Sequence, residues 1–163
     1  MEEGRALSLW GDAGWGDLVK RGKQVHGRFA EDLVVGVVDM IKNRWQPKPF
    51  PTWVTAMPSL NHPTLVPDLA QQIAAALGLP FIPCVEKVRP TRPQKQMQNS
   101  YQQAHNLAGA YAVNEEQTPA GPVFLVDDIV DSRWTMTVIA ALLREAGAGP
   151  VFPVALAMAA ASE

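Results

Sequence analysis

The chain has a single cysteine, Cys84, in 163 residues. An internal disulfide framework and a cysteine-based zinc site are therefore excluded. A lone thiol fits a reducing cytoplasm. Histidine is scarce as well. His26, His62 and His105 are too scattered to supply the close i, i+3 or i+4 pairs of a zinc site. Charge of neither sign dominates: 18% of residues are charged and the formal net charge is −2. The chain as a whole does not attract nucleic acid, and any such contact has to be local. The first residues lack the apolar core of a signal peptide. The longest apolar run, 151–161, contains Pro153 and is too short to span a membrane. Internal repeats and low-complexity tracts are missing too.

What is present is ordinary for one globular domain with a sizeable core, with 47% apolar residues. Residues 6–16, rich in Gly and Trp, read as a turn that packs indoles onto the body. From 17 to 45 the spacing is helical, with Asp17 as N-cap of a short helix ending near Gly27. Leu33, Val34, Val37, Val38 and Ile41 then form an apolar stripe. The basic cluster Lys20, Arg21, Lys23 and Arg28 reads as a solvated helix face. Pro47, Pro49 and Pro51 break the pattern, so residues 1–50 form a helical extension and 51–163 a core. In that core, strands are expected at 52–57, at 79–88 with an interruption near Pro83, at 109–113, from 122 and at 150–156. A helix carrying Leu69, Ile73, Ala76 and Leu77 stops at Gly78, another covers 97–107, and a third follows Trp134 and stops at Gly147. Strands alternating with helices predict an α/β doubly wound, Rossmann-like parallel sheet, which binds ligands past the carboxyl ends of its strands.

Three loops leave such ends: 58–63, 87–100 and 127–135. The last is the most informative. Val123, Phe124, Leu125 and Val126 read as a strand buried on both faces. Two adjacent carboxylates, Asp127 and Asp128, follow, and then a polar turn with Asp131, Ser132 and Thr135 runs into a helix. Carboxylates accept hydrogen bonds in pairs, which suits vicinal sugar hydroxyls. A helix N-terminus presents unpaired N–H groups and a positive dipole, which suits a phosphate. Together they describe a ribose 5-phosphate cradle. Cys84 reads as a small buried hydrophobe, and Ser59 shows no assembled histidine partner for a hydrolase triad.

The run Val126, Asp127, Asp128, Ile129, Val130, Asp131, Ser132, Arg133, Trp134, Thr135 resembles the phosphoribosyl-pyrophosphate (PRPP) motif of type I phosphoribosyltransferases. Gln94 to Met97 and Asn106 to Tyr111 resemble the ComF branch of that family. The Ser132–Thr135 turn, with Gly14-Trp15-Gly16, Trp53-Val54-Thr55 and Met97-Gln98-Asn99-Ser100, looks most like the phosphoribosyltransferase domain appended to some bacterial RecQ-family DNA helicases. That likeness covers nearly the whole chain and implies a piece of a longer polypeptide.

The resemblance implies a type I phosphoribosyltransferase fold with a mobile hood loop. Asp127 and Asp128 would bind the ribose hydroxyls, and Asp131, Ser132, Arg133, Trp134 and Thr135 the 5′-phosphate. Pro58, Ser59 and Leu60 fall at the pyrophosphate loop, and Lys87, Arg89, Arg92 and Lys95 at the hood. Mg²⁺ is the implied cofactor, held mainly through the ligand and by Asp127 and Asp128. The implied partner is PRPP or another phosphoribosyl compound, with DNA reached through a linked helicase, a homodimer as the assembly, and no membrane. Two departures stand out. The family turn usually has Gly where this chain has Arg133 and a small residue where it has Trp134, and the ComF branch tends to carry an arginine near Gln102 and Gln103. The catalytic residue is not identified, and two readings stay open. One is phosphoribosyl transfer; the other is a non-catalytic module for a phosphate, a nucleotide or a nucleic-acid 5′-phosphate, accessory to DNA repair or uptake.

Overall fold

The computed structural model describes residues 1–9, 15–23, 28–60, 62–88, 109–130 and 133–158. Its strands are β1 (Arg5–Leu9), β2 (Trp53–Ala56), β3 (Val85–Lys87), β4 (Tyr111–Val113), β5 (Val123–Val130) and β6 (Val151–Met158). Its α-helices are α1 (Trp15–Arg21), α2 (Glu31–Asp39), α3 (Leu65–Leu77) and α4 (Arg133–Glu145). A π-helical segment, Met40–Trp45, continues α2, and a 3₁₀ turn spans Glu115–Gln117.

Four strands form a parallel sheet in the order β1-β6-β5-β2, and β3 pairs antiparallel with β4 in a separate ribbon. The sheet is buried on both faces, as its continuous apolar runs require. Val123, Phe124, Leu125 and Val126 are all fully buried. Phe124 and Val126 meet a layer built from Leu33, Val37, Ile41, Leu69 and Ile73, and Trp45 and Phe50 lean on the Phe124 ring. Val123 and Leu125 meet the opposite layer, with Met136, Ile139 and Leu143 of α4 and Val85 and Tyr111 of the ribbon. This is the parallel sheet flanked by helices that the alternation predicts.

Several local expectations change. Residues 5–9 are not part of a turn; β1 adds an edge strand, with Arg5 opposite Val154 and Leu9 opposite Met158. The first 50 residues therefore contribute to the central sheet as well as helices. Helix α1 begins at Trp15, so Asp17 lies inside it and is not its N-cap. The 79–88 strand does not form as one piece. Phe81 makes a single parallel bridge to Val54, backed by Val54 N–H to Pro80 O and Ile82 N–H to Val54 O, both 2.9 Å. Pro83 then interrupts the ladder, because proline has no N–H to donate. The chain resumes as β3, and 111–113 pairs with it antiparallel and takes no place in the parallel sheet. The 97–107 helix lies outside the described residues.

Helix stops behave as expected. Gly78 caps α3 with φ 72°, and Gly147 follows α4 with φ 108°, conformations that suit glycine. Another glycine is fixed by crowding. A Cβ on Gly149 would sit 2.8 Å from the Pro122 nitrogen, and the Gly149 N–H donates to Gly121 O at 3.0 Å. The turns leading into β5 and β6 are thereby clamped together.

The chain leaves β2 through α3 toward Phe81 on one side, and leaves β5 through α4 toward β6 on the other. Helices α3 and α4 lie on opposite faces. The neighbouring pair β2 and β5 is therefore where the winding direction reverses, and the crevice beyond their carboxyl ends is the ligand position of such sheets.

Candidate functional site

Two of the sequence-predicted segments meet at this crevice. Pairing of β2 with β5 runs from Trp53 opposite Val123 to Ala56 opposite Val126, and the Met57 N–H extends it by donating to Val126 O at 2.8 Å. Pro58 therefore starts its loop beside Asp127. Within that loop the Ser59 hydroxyl accepts the His62 backbone N–H at 3.1 Å, an ordering role rather than a nucleophile's. Leu60 is half exposed at the tip.

The carboxylates lie inside the strand, not after it as the sequence suggests. Strand β5 continues through Val130, with Asp127 opposite Ala155, Ile129 opposite Ala157 and Val130 opposite Met158. The small and apolar residues of β6 carry the ladder past two residues that seldom favour strands. Strand alternation puts Asp127 in phase with Val123 and Leu125, and Asp128 in phase with Phe124 and Val126. Each carboxylate also turns back on the chain. Asp127 Oδ1 accepts the Asp128 N–H at 2.8 Å, and Asp128 Oδ1 accepts the Ile129 N–H at 2.7 Å.

The two acids differ in electrostatic setting. Asp128 is buried, and its Oδ2 pairs with Lys23 Nζ at 2.8 Å. Asp127 is pushed well above the ordinary carboxyl range, first by burial and then by the neighbouring Asp128; the Asp128 N–H and Lys23 pull the other way. One acid is thus held as half of an ion pair, while its neighbour takes up a proton more readily than an ordinary aspartate. A protonated carboxyl donates one hydrogen bond and still accepts others.

Lys20, Arg21 and Arg28 are exposed, as a solvated basic face requires, and Lys23 alone departs from it. Lys23 reaches Asp128, and Arg28 Nε meets Asp68 of α3 at 3.3 Å. The residue that sequence reasoning missed is Lys23. Its partner is far away in the chain, and nothing local marks it out. Tyr111 is the second. It is buried, and burial followed by the charge of Asp127 pushes its phenol up. Lys87 lies opposite it in the ribbon, with Nζ 5.6 Å from the ring centroid, and burial lowers the Lys87 pKa. Tyr111 thus lies against Lys87 and within the electrostatic reach of Asp127.

Among the turn residues, Arg133, Trp134 and Thr135 open α4, so their backbone N–H groups belong to its first turn. Trp134 is 37% exposed, and Thr135 is partly buried. Asp131 and Ser132 lie outside the described residues, as do Arg89, Arg92 and Lys95. Cys84 is buried, with Sγ 4.0 Å from Thr55 Oγ1.

A protein-held Mg²⁺ fits this donor set poorly. One oxygen of Asp128 faces an ammonium, and the other faces a backbone N–H. Among the described residues, no group of three or more His, Cys, Asp and Glu side chains is placed to hold a metal. No helix of the described residues is long and apolar enough to cross a membrane.

The crevice, with its loop, acids and helix start, sits on the α/β fold of type I phosphoribosyltransferases. Adenine phosphoribosyltransferase from Leishmania tarentolae superposes with a TM-score of 0.56 at 14% identity, covering 94% of this chain and 92% of that one. The glutamine PRPP amidotransferase of B. subtilis, in complex with ADP and GMP, gives 0.50 at 20% identity over 75% of this chain. An allosteric regulatory enzyme of purine biosynthesis gives 0.52 at 19% identity over 76% of this chain. The chain spans about a quarter of the length of these last two proteins, 26% and 24%. No protein-family model and no curated protein sequence matches the chain.

Proposed function

We propose that the chain binds PRPP or another ribose 5-phosphate compound in the crevice between β2 and β5. The observation that carries this reading is the meeting of Asp127, Asp128 and the 58–60 loop at the reversal point of the sheet, just before the start of α4. The 5′-phosphate goes to residues 131–135, at the start of α4, where the helix dipole is positive. Asp127 takes a ribose hydroxyl. Lys87 would serve the pyrophosphate, and any Mg²⁺ would arrive with the ligand. If transfer occurs, the protein's part is to position the ribose and stabilise the departing charge. Calorimetry with PRPP and with ribose 5-phosphate tests the binding. Saturable heat that disappears in Asp127→Ala supports the reading, and no heat with either compound defeats it. Release of pyrophosphate on addition of purine or pyrimidine bases separates a transferase from a binding module.

The exposed indole of Trp134, beside the proposed phosphate position, favours a second reading. An aromatic face next to a phosphate site suits a nucleic-acid 5′ end, because bases stack on such faces. In this version the domain serves a RecQ-type helicase on the same polypeptide, working on DNA in the cytoplasm, alone or as a homodimer. Gel-shift titration with 5′-phosphorylated and unphosphorylated single strands decides it. Equal binding of the two strands rules it out.

A further inference from the structure

We propose that Lys23 is the resident cation at the ribose end of the crevice, and that the site therefore takes a ribose 5-phosphate monoester without a divalent ion. The proposal rests on the reading of the crevice as a phosphoribosyl site and names the ligand class that this reading leaves open. Lys23 lies just past α1, far from β5 in sequence, yet its Nζ stands 2.8 Å from Asp128 Oδ2. The Asp128 side chain is only 8% exposed. A carboxylate so buried needs a counter-charge, and Lys23 supplies one from within the fold.

That pairing changes what the acid can do for a ligand. A divalent ion approaching Asp128 meets an ammonium already in place, and like charges at that range repel strongly in a partly desolvated site. A sugar hydroxyl meets no such barrier. The Lys23 side chain is 30% exposed, so it can be reached from solvent. An ammonium carries three N–H donors, while a hydroxyl both accepts and donates. Lys23 can thus donate to a ribose hydroxyl beside the Asp128 carboxylate. A ligand whose ribose contacts depend on a shared metal gains least from this arrangement. A simple 5-phosphate monoester gains most.

The test is calorimetry of the whole chain with ribose 5-phosphate, in EDTA and in millimolar Mg²⁺, on the wild type, Lys23→Gln and Lys23→Arg. The wild type should bind equally in both buffers. Lys23→Gln should bind about tenfold more weakly in EDTA, the loss of one charge-assisted hydrogen bond. It should regain affinity in Mg²⁺, because the bared Asp128 then attracts the metal. Lys23→Arg, which keeps the charge, should lose less. Wild-type binding that needs Mg²⁺, or a Lys23→Gln variant as tight as wild type in EDTA, overturns this proposal and leaves the phosphoribosyl reading standing. No binding of ribose 5-phosphate by the wild type in either buffer overturns both. Circular dichroism checks that Lys23→Gln is folded. If it is not, the wild-type comparison and Lys23→Arg decide, and wild-type dependence on Mg²⁺ remains the overturning result.

Discussion

Replacing Lys23 by methionine tests how the N-terminal segment is tied to the site. The substitution keeps most of the apolar stem and removes the ammonium 2.8 Å from Asp128. An ionised carboxylate is then left buried and unpaired. Breaking a buried pair from one side costs about 3–5 kcal/mol. The Lys23 side chain is 30% exposed, so water screens part of the charge and the lower end, about 3 kcal/mol, applies. For a chain of 163 residues, each kcal/mol moves the melting temperature by about 2–4 °C, so a fall of roughly 6–12 °C is expected. Asp128→Asn keeps an acceptor for the Ile129 N–H and removes the charge. The double variant Lys23→Met/Asp128→Asn should therefore be more stable than Lys23→Met alone, with a coupling of about 2 kcal/mol in urea denaturation. A single Lys23→Met variant within about 0.5 kcal/mol of wild type, or additive effects, refutes the ion pair as a buried contact.

Other consequences follow from the same contacts. Burial, and then Asp128, raise the Asp127 pKa in the folded state, so the folded chain binds that proton more tightly than the unfolded chain. Its contribution to stability therefore falls as pH rises from the ordinary aspartate value through the raised folded value. Asp127→Asn should remove that fall and raise the urea midpoint at neutral pH, and parallel pH profiles for the two proteins contradict it. Gly149→Ala pushes a methyl against the Pro122 nitrogen and should cost about 1–3 kcal/mol by thermal denaturation. A melting temperature equal to wild type counts against the clamp between the two turns. Phe124→Ala empties a fully buried position against Trp45 and Phe50 and should cost about 3–5 kcal/mol in urea, whereas a loss under about 1 kcal/mol means the core is looser than described.

Much of the centre was legible because its signals are local. Four consecutive apolar residues mark β5, helical spacing marks α3 and α4, and Gly78 and Gly147 stop those helices with positive φ. Strands alternating with helices predict a wound sheet, but the reversal point between β2 and β5 comes from the strand order that the fold shows. What escaped depends on partners far away in the chain. Arg5–Leu9 is short and has no strong strand signal; it becomes β1 because the edge of β6 is open to it. Tyr111–Val113 has strand character, but nothing in its residues says whether its partner runs parallel or antiparallel. The aspartates mark a strand end by propensity, whereas the β6 ladder carries the strand to Val130. The Lys23–Asp128 pair is a long-range contact of the same kind. The basic run around Lys23 fits a solvated face equally well until the fold brings Asp128 to it.

Binding of a phosphoribosyl ligand between β2 and β5 can be followed by ¹H–¹⁵N NMR during titration with ribose 5-phosphate and PRPP. Saturable shifts are expected at the amides of Asp127, Asp128 and Ile129 in β5, at Ser59 and Leu60, and at Trp134 and Thr135 in the first turn of α4. Spectra that do not change with either compound, or shifts confined to another part of the chain, contradict it.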